Sequence, residues 1–103
     1  MGLEIIGKKM DVGQALRTQT GEKIDHLSKK YDLVPLNTVV TFSSEGSSYH
    51  HMIRCTIEMH VGRDLYMRAH KETDDAHVSL GQALETLEKQ LKRHKDKVID
   101  AHK

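Results

Sequence analysis

Cysteine, proline and the large aromatics are almost missing from this chain: 103 residues hold one cysteine, one proline, one phenylalanine, three tyrosines and no tryptophan. The lone Cys55 excludes an internal disulfide framework. The opening Met1, Gly2, Leu3 and Glu4 lack the basic, apolar and small-residue regions of a secretory signal, so a cytoplasmic location is expected. No apolar run approaches the roughly 20 residues that cross a bilayer, and no membrane partner is expected. Gly-rich phosphate loops are missing too, because Gly46 and Gly62 stand singly, where a turn's positive φ accounts for them. No repeat, linker or low-complexity stretch divides the chain. Residues 1–103 therefore read as a single domain, large enough to bury one core without staples.

A large net charge is also lacking, since the formal value is only +1. Its distribution is uneven. Lys8, Lys9, Arg17, Lys23, Lys29 and Lys30 outnumber the acids of the first segment, and Lys89, Lys92, Arg93, Lys95, Lys97 and Lys103 outnumber those of the last. Between Asn37 and Glu85 acidic residues prevail. Two basic ends around an acidic middle bear on where a binding face lies.

What is present is clear periodicity. Leu3 to Gly7, with the β-branched pair Ile5 and Ile6, predicts a short strand. Asp11 is placed to cap a following helix of about five turns, on which Val12, Leu16, Ile24, Leu27 and Tyr31 share a face. Gly13 and Gly21 weaken that helix by about 1 kcal/mol each, so packing must hold it, and Pro35 forbids its continuation. Thr38, Val40 and Phe42 alternate with Val39, Thr41 and Ser43, and the run ends in a hairpin loop through Glu45, Gly46, Ser47 and Ser48. From Tyr49 to Val61 the residues His51, Ile53, Cys55, Ile57, Met59 and Val61 lie on one largely apolar face, with His50, Met52, Arg54, Thr56, Glu58 and His60 on the other, largely polar one. A turn through Gly62 and Arg63 leads to Leu65, Met67 and Ala69, alternating with Tyr66, Arg68 and His70. Leu80, Leu84, Leu87, Leu91 and Val98 fall within an arc of about 60° and predict a second helix, started by Thr73 or Asp74. The fold class is α/β (α+β) in two layers: β-α-β-β-β-α, a four-stranded sheet with β1 and β2 parallel and both helices on one face.

Lys89, Lys92 and Arg93 oppose the leucines on the helical wheel and project into solvent, with Lys95 and Lys97 flanking them. Arg17, Lys23, Lys29 and Lys30 add positive charge from the first helix. Two basic helices on one side are the footprint of a phosphate-backbone binder. Exposed rings are few, with Tyr49 and Tyr66 on or near the sheet and Phe42 in the core. Recognition through shape and phosphates, with the helices as contact surface, follows. The eight histidines do not form a metal motif: His50 and His51 are adjacent and point to opposite strand faces, and His50, His60 and His70 share only the wet face. No nucleophile, base and acid set is pinned by a motif, and Cys55 faces the core. No cofactor, metal, small-molecule substrate or enzymatic reaction is expected.

Gly7, Lys8, Lys9, Met10, Asp11 and Val12, followed by Ala15, Leu16 and Arg17, resemble the "GKNM-(D/E)-(I/V)-x-x-ALR" opening of the ribosome hibernation promoting factors, or ribosome-associated inhibitors. Leu87, Glu88, Lys89, Gln90, Leu91, Lys92, Arg93, His94 and Lys95 are similar to that family's "LE-(K/R)-QL-(K/R)-(K/R)-x-K" helix. The resemblance covers nearly the whole chain. It implies a fold like a double-stranded-RNA-binding domain, seated in the cleft of the small ribosomal subunit where messenger and transfer RNA pass. It also implies ribosomal RNA contacts at Lys8, Arg17, Lys23, Lys29, Lys89, Lys92, Arg93 and Lys97. Lys9 stands where asparagine is usual, and Ala76 and His77 where the last helix often begins with a methionine and a tyrosine. Long members of that family add a linker and a second domain that pairs ribosomes, so this chain reads as a short form or an N-terminal domain. Two other classes remain open from the residues alone. One is a protein-interaction module using the exposed sheet face or edge; the other is a metal or redox protein using His50, His60, His70 or Cys55.

Overall fold

Six elements carry these periodicities in the computed structural model, which describes residues 2–32, 35–46, 51–61 and 65–101, with the side chains of 35, 36 and 95–101 excepted. They are β1 (Gly2–Lys8), α1 (Gln14–Lys30), β2 (Pro35–Glu45), β3 (Met52–Val61), β4 (Leu65–Thr73) and α2 (Ala76–Ala101). The strands form one sheet in the order β1-β2-β3-β4. β1 runs parallel to β2, as a helical crossover demands, and the two later pairings are antiparallel. The expected β-α-β-β-β-α order is thus found. The turn residues Ser47, Ser48, Gly62 and Arg63, and the side chain of Val98, lie outside the described residues.

Register decides which side chains share a face. Ile5, Val40, Ile57 and Ala69 align across all four strands, and Thr38, Met59 and Met67 align across three. Val40, Phe42, Cys55, Ile57 and Met59 expose none of their surface. A slip of one residue would turn all of them to solvent, so burial pins the pairing. Onto this layer α1 lays Leu16, Ile24 and Leu27, and α2 lays Leu80, Ala83, Leu87 and Leu91, in one continuous core with both helices on the same side. Leu84, Val12 and Tyr31 pack at its margin. Each large apolar side chain so buried stabilises by roughly 1.5–3 kcal/mol, enough to offset a weak helix propensity in α1.

The helix ends depart from the sequence reading. Asp11 does not cap α1: the cap is Gly13, with φ −70° and ψ 166°, and among the described residues no side-chain cap bond is made there. Gly13 is therefore outside the helix, and only Gly21 weakens its interior. The cause lies just upstream. The chain folds back over Gly7 so closely that a Cβ there would sit 2.4 Å from the Met10 carbonyl oxygen. Lys9 takes a left-handed φ of 59° to make that turn, and the residues up to Val12 are used by it before a helix can begin. At the other end the Tyr31 amide donates to Leu27 O and the Asp32 amide to Lys29 O. Asp32, at φ 52°, then ends the helix in the left-handed region before Pro35, which opens β2 opposite Val61.

α2 is capped by Asp75 in place of Thr73 or Asp74. Its carboxylate accepts from the amides of His77 at 2.8 Å and Val78 at 3.2 Å, the geometry of an N-cap. Thr73 supports the cap from behind, its hydroxyl donating to Asp75 O at 2.8 Å.

Candidate nucleic-acid interface

The buried leucines of α2 fix what its other side shows. With Leu87 and Leu91 against the sheet, Lys89, Lys92 and Arg93 point outward and are exposed. Among the described residues none of the three is in an ion pair, so their charges are open to a partner. The side chains of Lys95 and Lys97 lie outside the described residues.

The cations of α1 are differently placed. Lys29 pairs with Asp25 at 3.0 Å within its own helix, and Lys30 reaches across to Glu88 at 3.4 Å. Arg17 donates from Nε to Val12 O at 3.2 Å, securing the approach to the helix. Lys23 lines a groove of about 670 Å³ between the helices, together with Glu22 and His26 from α1 and Glu85 and Glu88 from α2. His77, near the start of α2, bonds through Nδ1 to Gln19 Oε1 on α1. The groove is therefore of mixed charge: Lys29 and Lys30 are held in ion pairs, whereas Arg17 and Lys23, exposed like the cations of α2, have none among the described residues. Lys8 ends β1 in register with Ser43, one step from the Gly7 and Phe42 pair that faces the core. It thus belongs to the sheet face away from the helices and is not gathered with the others.

The sheet's open face carries paired charges and one exposed ring. Arg54 lies 3.8 Å from Glu72. The Tyr66 hydroxyl donates to Glu58 at 2.8 Å, and this bond to the carboxylate pushes the phenol's ionisation above its ordinary value. His60 stands opposite Tyr66 and His70 opposite Thr56, several positions apart on the ladder, and His50 lies outside the described residues. Cys55 has no exposed surface, and burial pushes its thiol up to about 12, so it is not a nucleophile at neutral pH.

Periodicity missed the polar anchor beneath α2. Ser79, fully buried, donates to Ile53 O at 2.7 Å and accepts from the Thr73 amide at 3.1 Å, tying the helix start to β3 and β4. A serine one position before Leu80 gave the only signal. Thr20 is likewise buried on the core face of α1, its hydroxyl satisfied by Leu16 O at 2.7 Å.

The family profile described as sigma 54 modulation protein / S30EA ribosomal protein matches residues 3–99. A ribosome hibernation promotion factor of Bradyrhizobium diazoefficiens is 31% identical over 100 residues, which are 97% of this chain and 47% of that protein. One from Rhizobium meliloti is 26% identical over 102 residues, 99% of this chain and 52% of that protein. The chain spans about half the length of these curated relatives. Two solved structures share the fold. A ribosomal subunit interface protein from Coxiella burnetii superposes with a TM-score of 0.80 at 21% identity, covering 93% of this chain and 99% of that one. The N-terminal domain of Protein Y from Thermus thermophilus gives 0.75 at 23% identity, covering 88% and 94%. With both sequence motifs, the fold and nearly every residue inside the match, the chain belongs to the sigma 54 modulation protein / S30EA ribosomal protein family.

Proposed function

We propose that this domain binds the small ribosomal subunit through ribosomal RNA and inhibits translation by steric occupation of the channel for messenger and transfer RNA. The observation that carries the reading is the outward ridge of Lys89, Lys92 and Arg93, exposed and without acidic partners among the described residues. Curated relatives matching nearly the whole chain are ribosome hibernation promotion factors, which supports the partner. Lysine and arginine heads neutralise phosphates and release counterions; the domain's bulk then excludes a competing strand. No bond-making step is required. Lys97 extends the ridge by sequence, Arg17, Lys23 and Lys29 contribute from α1, and Lys8 is a more remote contact. Binding in the cytoplasm and the promotion of ribosome hibernation follow from the same reading.

Co-sedimentation with purified small subunits at two salt concentrations tests it. Binding should fall steeply with salt, by a log–log slope of roughly −0.7 to −0.9 for each phosphate neutralised. Glutamate at Lys89, Lys92 and Arg93 together should abolish it, and undiminished binding by that folded variant would reject the surface.

A further inference from the structure

Among the described residues Tyr66 is the one exposed phenol or benzyl ring, with half of its surface open. A surface ring is ordinarily free to turn, but this one is held twice. Its hydroxyl donates to Glu58 Oε2 at 2.8 Å, and the ring packs beside that of His60, with centroids 4.7 Å apart and planes tilted by 46°. Register sets His60 directly opposite Tyr66 and Arg68 directly opposite Glu58. Ring, imidazole and guanidinium therefore share the open sheet face, on the side away from both helices. The neighbouring charges are largely engaged: Arg54 pairs with Glu72, and Glu58 accepts the phenol. Arg68 has no ion-pair partner among the described residues.

A fixed, solvent-facing π surface beside an unpaired guanidinium suits a ligand that has a flat face and an anion close together. An unpaired nucleotide has both: the base stacks on the ring and the adjoining phosphate meets the cation. An acidic peptide would engage the guanidinium and leave the ring bare. We propose that the open sheet face is a second nucleic-acid contact, where an unpaired base stacks on Tyr66 and His60 while its phosphate pairs with Arg68. This contact lies across the sheet from the α2 ridge and does not depend on it.

The probes are a labelled hexaadenylate RNA, the same DNA hexamer and an abasic hexamer of equal charge, bound by the full chain at one low salt concentration and followed by anisotropy. The wild type should bind hexaadenylate RNA at least about tenfold tighter than the abasic strand. Tyr66→Leu should erase that preference and Tyr66→Phe, which keeps the ring, should retain most of it. A preference for RNA over DNA assigns a ribonucleotide, and equal affinity assigns the base alone; either outcome supports the site. Charge reversal at Lys89, Lys92 and Arg93 should weaken all strands together and leave the base preference intact, which separates this site from the ridge. Should Tyr66→Leu fail to fold, His60→Ala, at an exposed position, should lower the preference severalfold. A wild type that binds the abasic strand equally well, or a folded Tyr66→Leu that keeps the preference, overturns the proposal. So does a face that ignores the base and mediates self-association, detected by sedimentation equilibrium and lost in Tyr66→Leu.

Discussion

Lys30, the last residue of α1, reaches over the interhelical groove to Glu88 in α2, its Nζ 3.4 Å from one carboxylate oxygen. Together with the His77 and Gln19 contact, this bridge joins two helices that share the core beneath but leave a groove between them. It also withdraws one cation from the surface available to an anionic partner. The side chains are 51% and 37% exposed, so solvent screens the attraction.

Glu88→Gln should therefore cost at most about 1 kcal/mol in urea denaturation, within the range of exposed pairs. Affinity for small subunits should rise, because Lys30 loses its acidic partner, keeping only the Tyr31 ring 5.6 Å below its ammonium, and a groove carboxylate is lost. If Lys30 then reaches a phosphate, the salt dependence steepens by up to about one unit of log–log slope. A variant that binds ribosomal subunits more weakly than wild type would show that the bridge positions the interface instead of masking it.

Ser79→Ala removes no apolar area worth the name, yet it should destabilise the fold by about 1–3 kcal/mol. The buried hydroxyl serves Ile53 O and the Thr73 amide at once, and alanine leaves both without that partner where α2 meets the sheet. Chemical denaturation measures the loss, and amide exchange at Thr73 should quicken first. Thr86→Ala, whose hydroxyl bonds only to Gln82 O at the helix surface, is the comparison and should change little.

Cys55 ties stability to alkaline pH. Burial raises its thiol from 9.0 to about 12 in the folded chain, so between those values the unfolded state loses a proton that the folded state keeps. The contribution is fully present below pH 9 and is lost as pH climbs toward 12. Stability should fall with pH across that window, and Cys55→Ala should show a shallower fall even though it is less stable at neutral pH. A thiol reagent at pH 8 should label the wild type only as fast as the core opens.

Much of this was legible because two periods are hard to counterfeit. Ile53, Cys55, Ile57 and Met59 at period 2, and Leu80, Leu84, Leu87 and Leu91 at helical spacing, each define one apolar side, and one sheet face with two helices is the compact way to bury them. The helix starts were not legible, because Asp11 before α1 and Thr73 or Asp74 before α2 are as good on paper as the caps that the structure uses. Only the fold-back over Gly7 and the bonds from Asp75 to His77 and Val78 distinguish them. The ridge on α2 could be read, since its exposure follows from the leucines. The pairing of Lys30 with Glu88 could not, since it joins residues far apart in sequence, whereas Lys29 and Asp25 stand at the ordinary four-residue spacing of a helix.

Lys9 carries the clearest local strain, and the sequence pattern that it breaks explains how to relieve it. A lysine at φ 59° places its Cβ against the neighbouring carbonyl, a conformation that asparagine tolerates better because its short side chain bonds locally. The motif that this chain resembles has asparagine at that position. Lys9→Asn should accordingly stabilise the domain by about 0.5–1 kcal/mol, and Lys9→Gly by a similar amount less its entropy cost. Gly7→Ala should do the reverse and strongly, since its Cβ would lie 2.4 Å from the Met10 carbonyl oxygen and force that turn open. Midpoints of urea unfolding for the three variants decide the matter. If Lys9→Asn lowers the midpoint, the turn is held by the lysine's own contacts, and the left-handed backbone is not what limits it.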